Sequence, residues 1–205
     1  MCGRYDLTAS PQMLMLYFQL AVEPEAFGNA DVRPTTTAPI IRIQDGRRIA
    51  TMARWGLIPS WSKDDKIAHH TFNARGETVA DKPSFRTAFK RRRCIVPASA
   101  FFEWKAVTGE KKKQKLRFNR CDGHLLALAG LWECWKRPET NEVTETYTVI
   151  TTTANALMQP IHDRMPVVLG ERDWAAWLDP EATNPLLLQS MLQPCPDDWL
   201  VCSPE

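Results

Sequence analysis

Five β-type segments follow one another between Cys94 and Thr153: CIVPA (94–98), FFEWKA (101–106), KLRFNR (115–120), HLLALAGLWECW (124–135) and TETYTVITTT (144–153). They are rich in β-branched and aromatic residues, and no amphipathic helix pattern stands between them. Turn residues separate most of them, Thr108-Gly109 and Cys121-Asp122-Gly123 among them. Parallel pairing needs a crossover of a dozen or more residues, usually a helix, whereas strands in direct succession pair antiparallel. Upstream, APIIRIQDGRRIATMARW (38–55) sets Asp45-Gly46 between two strand-like runs, which is hairpin chemistry. Helices are expected around this sheet. One starts at Pro11 behind the N-cap Ser10 and runs through SPQMLMLYFQLA; others cover 81–89, 153–159, 171–178 and 184–192, the last capped by Asn184. RMPVVL (164–169) reads as a further strand, while 22–37 and 56–71 read as loops. The order is not a regular βα alternation. It predicts an α+β fold: a single domain over 1–205, built on a mostly antiparallel, barrel-like sheet with flanking helices.

A chain of 205 residues can bury a sizeable core, and 44% hydrophobic with 24% charged residues excludes a disordered chain. The net charge of +2 does not by itself imply nucleic acid. Two local basic runs, Lys90 to Arg93 and Lys111 to Lys113 with Lys115, fit either a solvated face or a phosphate-binding surface. The six cysteines (2, 94, 121, 134, 195, 202) form no C-x-x-C pair and no zinc-spaced cluster, so no metal site is expected. Thr8 to Pro11 interrupts any signal-like apolar run, and nothing approaches the roughly 20 apolar residues of a membrane span. The expectation is a cytoplasmic protein with reduced thiols, nucleoid-associated if bacterial and nuclear if eukaryotic.

Several residues have the chemistry of a site. Cys2 follows the initiator methionine, which is usually trimmed ahead of a small residue. An N-terminal Cys carries an amine of pKa ~7.7–8.0 and a thiol of pKa ~8.5 on neighbouring carbons. Such a 1,2-aminothiol closes on an aldehyde: the amine forms an imine and the thiol completes a thiazolidine. From spacing alone, a buried thiol at a strand start fits equally well. In FNARGET (72–78), Asn73, Arg75 and Glu77 alternate and would share one face if extended, suiting a polar anionic ligand or a plain surface ion pair. Glu103 stands between Phe102 and Trp104; facing inward it would have a raised pKa and suit a general acid. PIHDRMP supplies His162, Asp163 and Arg164, with imidazole the natural proton shuttle near neutral pH. Trp61, in the loop IPSWSKDD, suits stacking on an unpaired base. His69, His70 and His124 have no comparable setting.

MCGRY, WGLIPSW, FNARGET, RRRCIVPASAFFEWK, LAGLWE, TVITTTAN and IHDRMPVVL occur in that order. Together they resemble the SRAP domain, the SOS-response-associated peptidase family, over essentially the whole chain. The resemblance implies a sensor of abasic sites in single-stranded DNA that crosslinks covalently to the lesion through its N-terminal Cys and shields it. A replication-fork context, a monomer and possession of a thiol autopeptidase activity go with it; no cofactor does. It implies Cys2 as nucleophile, Asn73 as its orienting amide, Glu103 as acid–base group and His162 as the group assisting imine chemistry and reversal. It assigns Arg4 and Arg75 to phosphates, and Pro34 and Trp61 to displaced bases. Asp31, in DVRPTT, stands where the family usually has Asn, Ser62 replaces a frequent second aromatic, and the chain stops at LVCSPE. Two readings from other classes are an N-terminal-nucleophile glutamine amidotransferase, which shares only Met-Cys-Gly, and a noncatalytic single-strand-binding module.

Overall fold

The computed structural model describes residues 2–107, 109 and 111–205. At Asp45-Gly46 both residues take positive φ, 50° and 71°, as a two-residue type I′ turn requires. That turn joins β3 (Thr37–Gln44) to β4 (Arg47–Trp55) in unbroken register. The hairpin opens a ring. β4 runs parallel to β10 (Val143–Thr153), β10 pairs with β9 (Leu126–Lys136), β9 with β6 (Arg93–Ala98), and β6 returns to β3. These five strands form a closed barrel. Two short strands extend it along β10: β5 (Asn73–Arg75), parallel, and β11 (Arg164–Pro166), antiparallel.

A second sheet is wholly antiparallel, in the order β12 (Leu200–Pro204), β8 (Gln114–Arg120), β7 (Ala100–Lys105), β1 (Tyr5–Leu7) and β2 (Asn29–Val32). Among the described residues, four α-helices flank the sheets: α1 (Pro11–Phe18), α2 (Arg86–Arg91), α3 (Glu171–Leu178) and α4 (Pro185–Ser190). This is the α+β architecture expected. Both foreseen caps form. The Ser10 hydroxyl accepts from Met13 N–H at 3.1 Å, and Asn184 Oδ1 accepts from Leu186 N–H at 3.1 Å.

Barrel closure leaves no room beside Gly130 on β9. A Cβ there would stand 2.9 Å from Cys94 Sγ, 2.9 Å from Val96 Cγ2 and 3.0 Å from the Thr148 carbonyl oxygen. Gly130→Ala should therefore lower stability by about 1–3 kcal/mol, the usual cost of overpacking. Urea denaturation checks this; an unchanged midpoint would mean that the strands separate freely.

Some expected elements differ. Residues 153–159 are not a helix: Thr153 ends β10, and 156–161 are turns. Asn155 makes the local bonds, accepting from Met158 N–H through Oδ1 (3.0 Å) and from Gln159 N–H through its carbonyl (2.9 Å), and Pro160 has no N–H to continue them. The helix expected over 81–89 forms only as α2, since 77–85 are turns and bends. RMPVVL pairs as a strand only to Pro166; beyond it one bridge joins Val168 to Leu128. Conversely, β2 arises in the segment expected to be loop, and β12 forms from LVCSP. Both are edge strands of the second sheet. The turn expected at Thr108 falls outside the described residues.

Candidate active site

Cys2 enters the fold just ahead of β1, which lies between β2 and β7, and Phe102 N–H donates to the Arg4 carbonyl at 3.0 Å. This lacing draws the start of the chain inward, and Cys2 is fully buried. Its carbonyl accepts from Asn73 Nδ2 at 2.9 Å, and its thiol faces the Arg4 carbonyl oxygen 4.0 Å away. Asn73 is held by β5, which pairs it with Val149 of β10. Its Oδ1 is buried and has no hydrogen-bond partner among the described residues.

Glu103 lies on β7, opposite Leu116 of β8. It is one of few buried carboxylates, at 4% exposure. Burial raises its pKa, and the nearby His162 opposes the rise. Burial first, and the Glu103 charge second, push the Cys2 thiol up to about 12. Cys2, Glu103 and His162 are thus electrostatic neighbours, and Asn73 touches Cys2 directly. Within electrostatic reach of Cys2, the hydroxyls of Tyr5 and Tyr147 are 2.7 Å apart, and both phenols are raised, chiefly by burial.

His162 is half-buried. Two groups approach its Nδ1: Arg164 N–H at 2.9 Å, and the exposed Asp163 carboxylate at 3.0 Å. The first requires a lone pair on Nδ1, the second a hydrogen. The backbone donor is fixed in direction, whereas a carboxylate that is 87% exposed is screened by water. Nδ1 therefore accepts from Arg164, and in the neutral ring the hydrogen sits on Nε2.

The expected trio on one strand face breaks apart. β5 ends at Arg75, and Glu77 turns to Arg164 instead, meeting its guanidinium at 2.5 and 2.9 Å. That pairing lowers the Glu77 pKa. Arg164 also donates to the Thr151 carbonyl at 2.7 Å, tying β11 to β10. The Arg75 side chain is exposed and makes no ion pair or hydrogen bond among the described residues, while its carbonyl accepts from Thr78 N–H at 3.1 Å. Arg4 is engaged by Asp31 at 2.7 Å. Pro34 sits in a turn closed by Thr36 N–H on the Arg33 carbonyl (3.0 Å), and Trp61 is 61% exposed on its loop. Among the described residues, no hydrogen bond or ring contact links Pro34 or Trp61 to Cys2, Asn73, Glu103 or His162.

One depression of about 360 Å³ opens between Thr8, Ser99, Arg117 and His124, and another of about 310 Å³ runs beside Glu77 and Thr152. Neither is lined by Cys2, Asn73, Glu103 or His162. Among the described residues, no three His, Cys, Asp or Glu side chains are placed to hold a metal ion. Among the described residues, no helix is long and apolar enough to cross a membrane.

Known proteins are similar to this chain in sequence and in fold. A protein of Bacillus subtilis (strain 168) named abasic site processing protein YoqW is 43% identical over 199 residues, covering 95% of this chain and 87% of that protein. The Xenopus tropicalis abasic site processing protein HMCES is 35% identical over 152 residues, 64% of this chain and 45% of that longer protein. A crystal structure of a Bacteroides thetaiotaomicron protein superposes with a TM-score of 0.89 at 27% identity, covering 99% of this chain and 91% of that one. A Bordetella bronchiseptica protein superposes with a TM-score of 0.85 at 31% identity. Residues 1–204 match the family described as SOS response associated peptidase, and the chain belongs to that family.

Proposed function

We propose that this protein processes abasic sites in single-stranded DNA, and that Cys2, once Met1 is removed, forms a thiazolidine crosslink with the lesion. The observation that carries this reading is the convergence of an N-terminal aminothiol precursor, a buried carboxyl of raised pKa and an imidazole at one point. The names of the relatives point to the same substrate.

The abasic deoxyribose is mostly a closed hemiacetal. Glu103, whose burial favours the protonated carboxyl, protonates the ring oxygen and releases the C1′ aldehyde. The Cys2 amine then adds to C1′. Loss of water gives the imine, with His162 moving protons. Burial disfavours the thiolate, so sulfur does not attack first. It adds to the imine carbon with its proton passing to nitrogen, and the ring closes. The net change is aldehyde plus aminothiol to thiazolidine plus water. Asn73, holding the Cys2 carbonyl, fixes the attacking residue in place. Arg75 offers an unengaged guanidinium to a flanking phosphate. The same high thiol pKa disfavours release of Met1 by a resting Cys2 thiolate, so ordinary methionine trimming is the preferred route. The test is to mix Met1-free protein with single-stranded DNA carrying one abasic site. A denaturation-resistant adduct is expected; binding without an adduct would leave a noncatalytic module, and glutaminase activity would favour the amidotransferase reading.

Glu103→Gln separates chemistry from fold. It should slow crosslinking by ~10²–10⁴-fold at saturating DNA, because the proton donor is lost. Its stability should change in the other direction. The folded pKa of Glu103 lies above the ordinary 4.5, so stability linked to its proton is full below that value and lost as pH rises through the folded pKa. Gln carries no charge. Its Tm relative to the parent should rise across that window, and a flat difference would show Glu103 to be well solvated.

Arg75→Ala should weaken single-strand binding and reduce the slope of log affinity against log salt by about 0.7, the loss of one phosphate contact. An unchanged slope would assign Arg75 to the fold.

A further inference from the structure

The antiparallel pairing of Tyr5 with Val32 brings Arg4 beside Asp31 and Arg33 at the edge of the second sheet. Asp31 lies between the two guanidiniums. Arg4 donates from Nε to Oδ1 at 2.7 Å and from one terminal nitrogen to Oδ2 at 3.2 Å. Arg33 donates from Nε and a terminal nitrogen to Oδ2 at 3.0 and 2.7 Å. All three side chains reach solvent, with exposures of 26%, 40% and 56% for Arg4, Asp31 and Arg33.

One oxyanion gripped side-on by two arginine forks is the arrangement that also holds a phosphodiester, because the guanidinium fork fits both anions. A phosphodiester carries the same single negative charge as the carboxylate. Exposed ion pairs contribute little net stability, so exchanging one anion for the other costs little. Hydrogen bonds from Arg33 first, then Arg4, hold the Asp31 pKa below the ordinary range, and it is ionised at neutral pH. Arg4 directly follows the Cys2 segment, so an anion held here lies next to the reacting residue along the chain.

We propose that Asp31 is an internal counter-anion that a DNA backbone phosphate displaces, and that Arg33 joins Arg4 in gripping that phosphate. The inference rests on single-stranded DNA being the partner. Asp31 then sets how tightly the protein holds DNA: it neutralises the arginine pair at rest and competes for it when the strand arrives. Arg33 becomes a DNA-binding residue in its own right.

The test uses an undamaged oligothymidine, which has no aldehyde, so binding is read apart from crosslinking. Anisotropy is followed over a salt series for the parent, Asp31→Asn and Arg33→Gln, each first shown to be folded by its thermal transition. Asp31→Asn keeps the side-chain size and removes the charge, and should bind up to about fivefold tighter at low salt. Arg33→Gln should bind more weakly, with a salt slope smaller by about 0.7. Unchanged or weaker binding by Asp31→Asn would show that Asp31 orients Arg4 rather than competing for it, and would overturn the proposal. So would an unchanged slope for Arg33→Gln, or no binding by the parent. An adduct formed normally on abasic DNA alongside any of these failures would leave the crosslinking reading intact; loss of the adduct with the binding results as expected would reverse that division.

Discussion

Cys2→Ala should abolish the denaturation-stable adduct proposed to form with abasic DNA. Ala still has an α-amine after Met1 is trimmed, so attack on C1′ and loss of water remain open. No sulfur remains to close the ring, and an open imine hydrolyses on denaturation. The expected result is no stable band without reductant, and a weak band when borohydride traps the imine. Binding to undamaged single strands should persist, because Arg4, Arg33 and Arg75 are untouched. Cys2 is fully buried against the core, so a modest loss of stability accompanies the change, and the assay belongs well below the transition temperature. A stable adduct at parental yield without reductant would contradict thiazolidine closure.

The barrel was legible because its strands carry strong local signals. Asp45-Gly46 demanded a type I′ hairpin, and Ser10 and Asn184 announced their helices by side-chain capping. Less legible were elements whose conformation is imposed by partners. β2, with sequence NADV, has little intrinsic strand preference and forms through pairing with β1. β12 is an edge strand laid along β8. Residues 153–159 have helical composition, but Asn155 spends its side chain on a local turn and Pro160 stops any continuation.

The site shows the same division. Cys2, Asn73, Glu103 and His162 are far apart in the sequence, and each admitted an ordinary structural explanation. Ordered motifs singled them out, and the fold brings them together. Glu77 looked like a partner of Arg75, yet it pairs with Arg164, because β5 ends before Glu77 and the chain turns. The grip of Asp31 on Arg4 had no sequence signal beyond its being an acid two residues before Arg33, since the register of β1 on β2 creates it.

The residue ahead of Cys2 is expected to have an equally large effect. While Met1 is attached, the nitrogen of Cys2 is an amide and cannot form an imine, although the thiol is unchanged. A chain retaining Met1, or an uncleaved tag, should form no thiazolidine. Added residues also obstruct approach to the buried Cys2, so binding to undamaged DNA must be measured in parallel to separate blocked chemistry from blocked access.

The most direct measurement follows intact mass through the reaction. Two preparations, one with Met1 verified in place and one beginning at Cys2, are mixed with single-stranded DNA bearing one abasic site. Adduct yield and protein mass are read after heat denaturation. The aminothiol account predicts a heat-stable adduct from the Cys2-first protein, with a mass equal to protein plus DNA minus one water. It predicts none from protein that keeps Met1 throughout. An equally fast, heat-stable adduct on protein whose Met1 remains attached before and after reaction would contradict it.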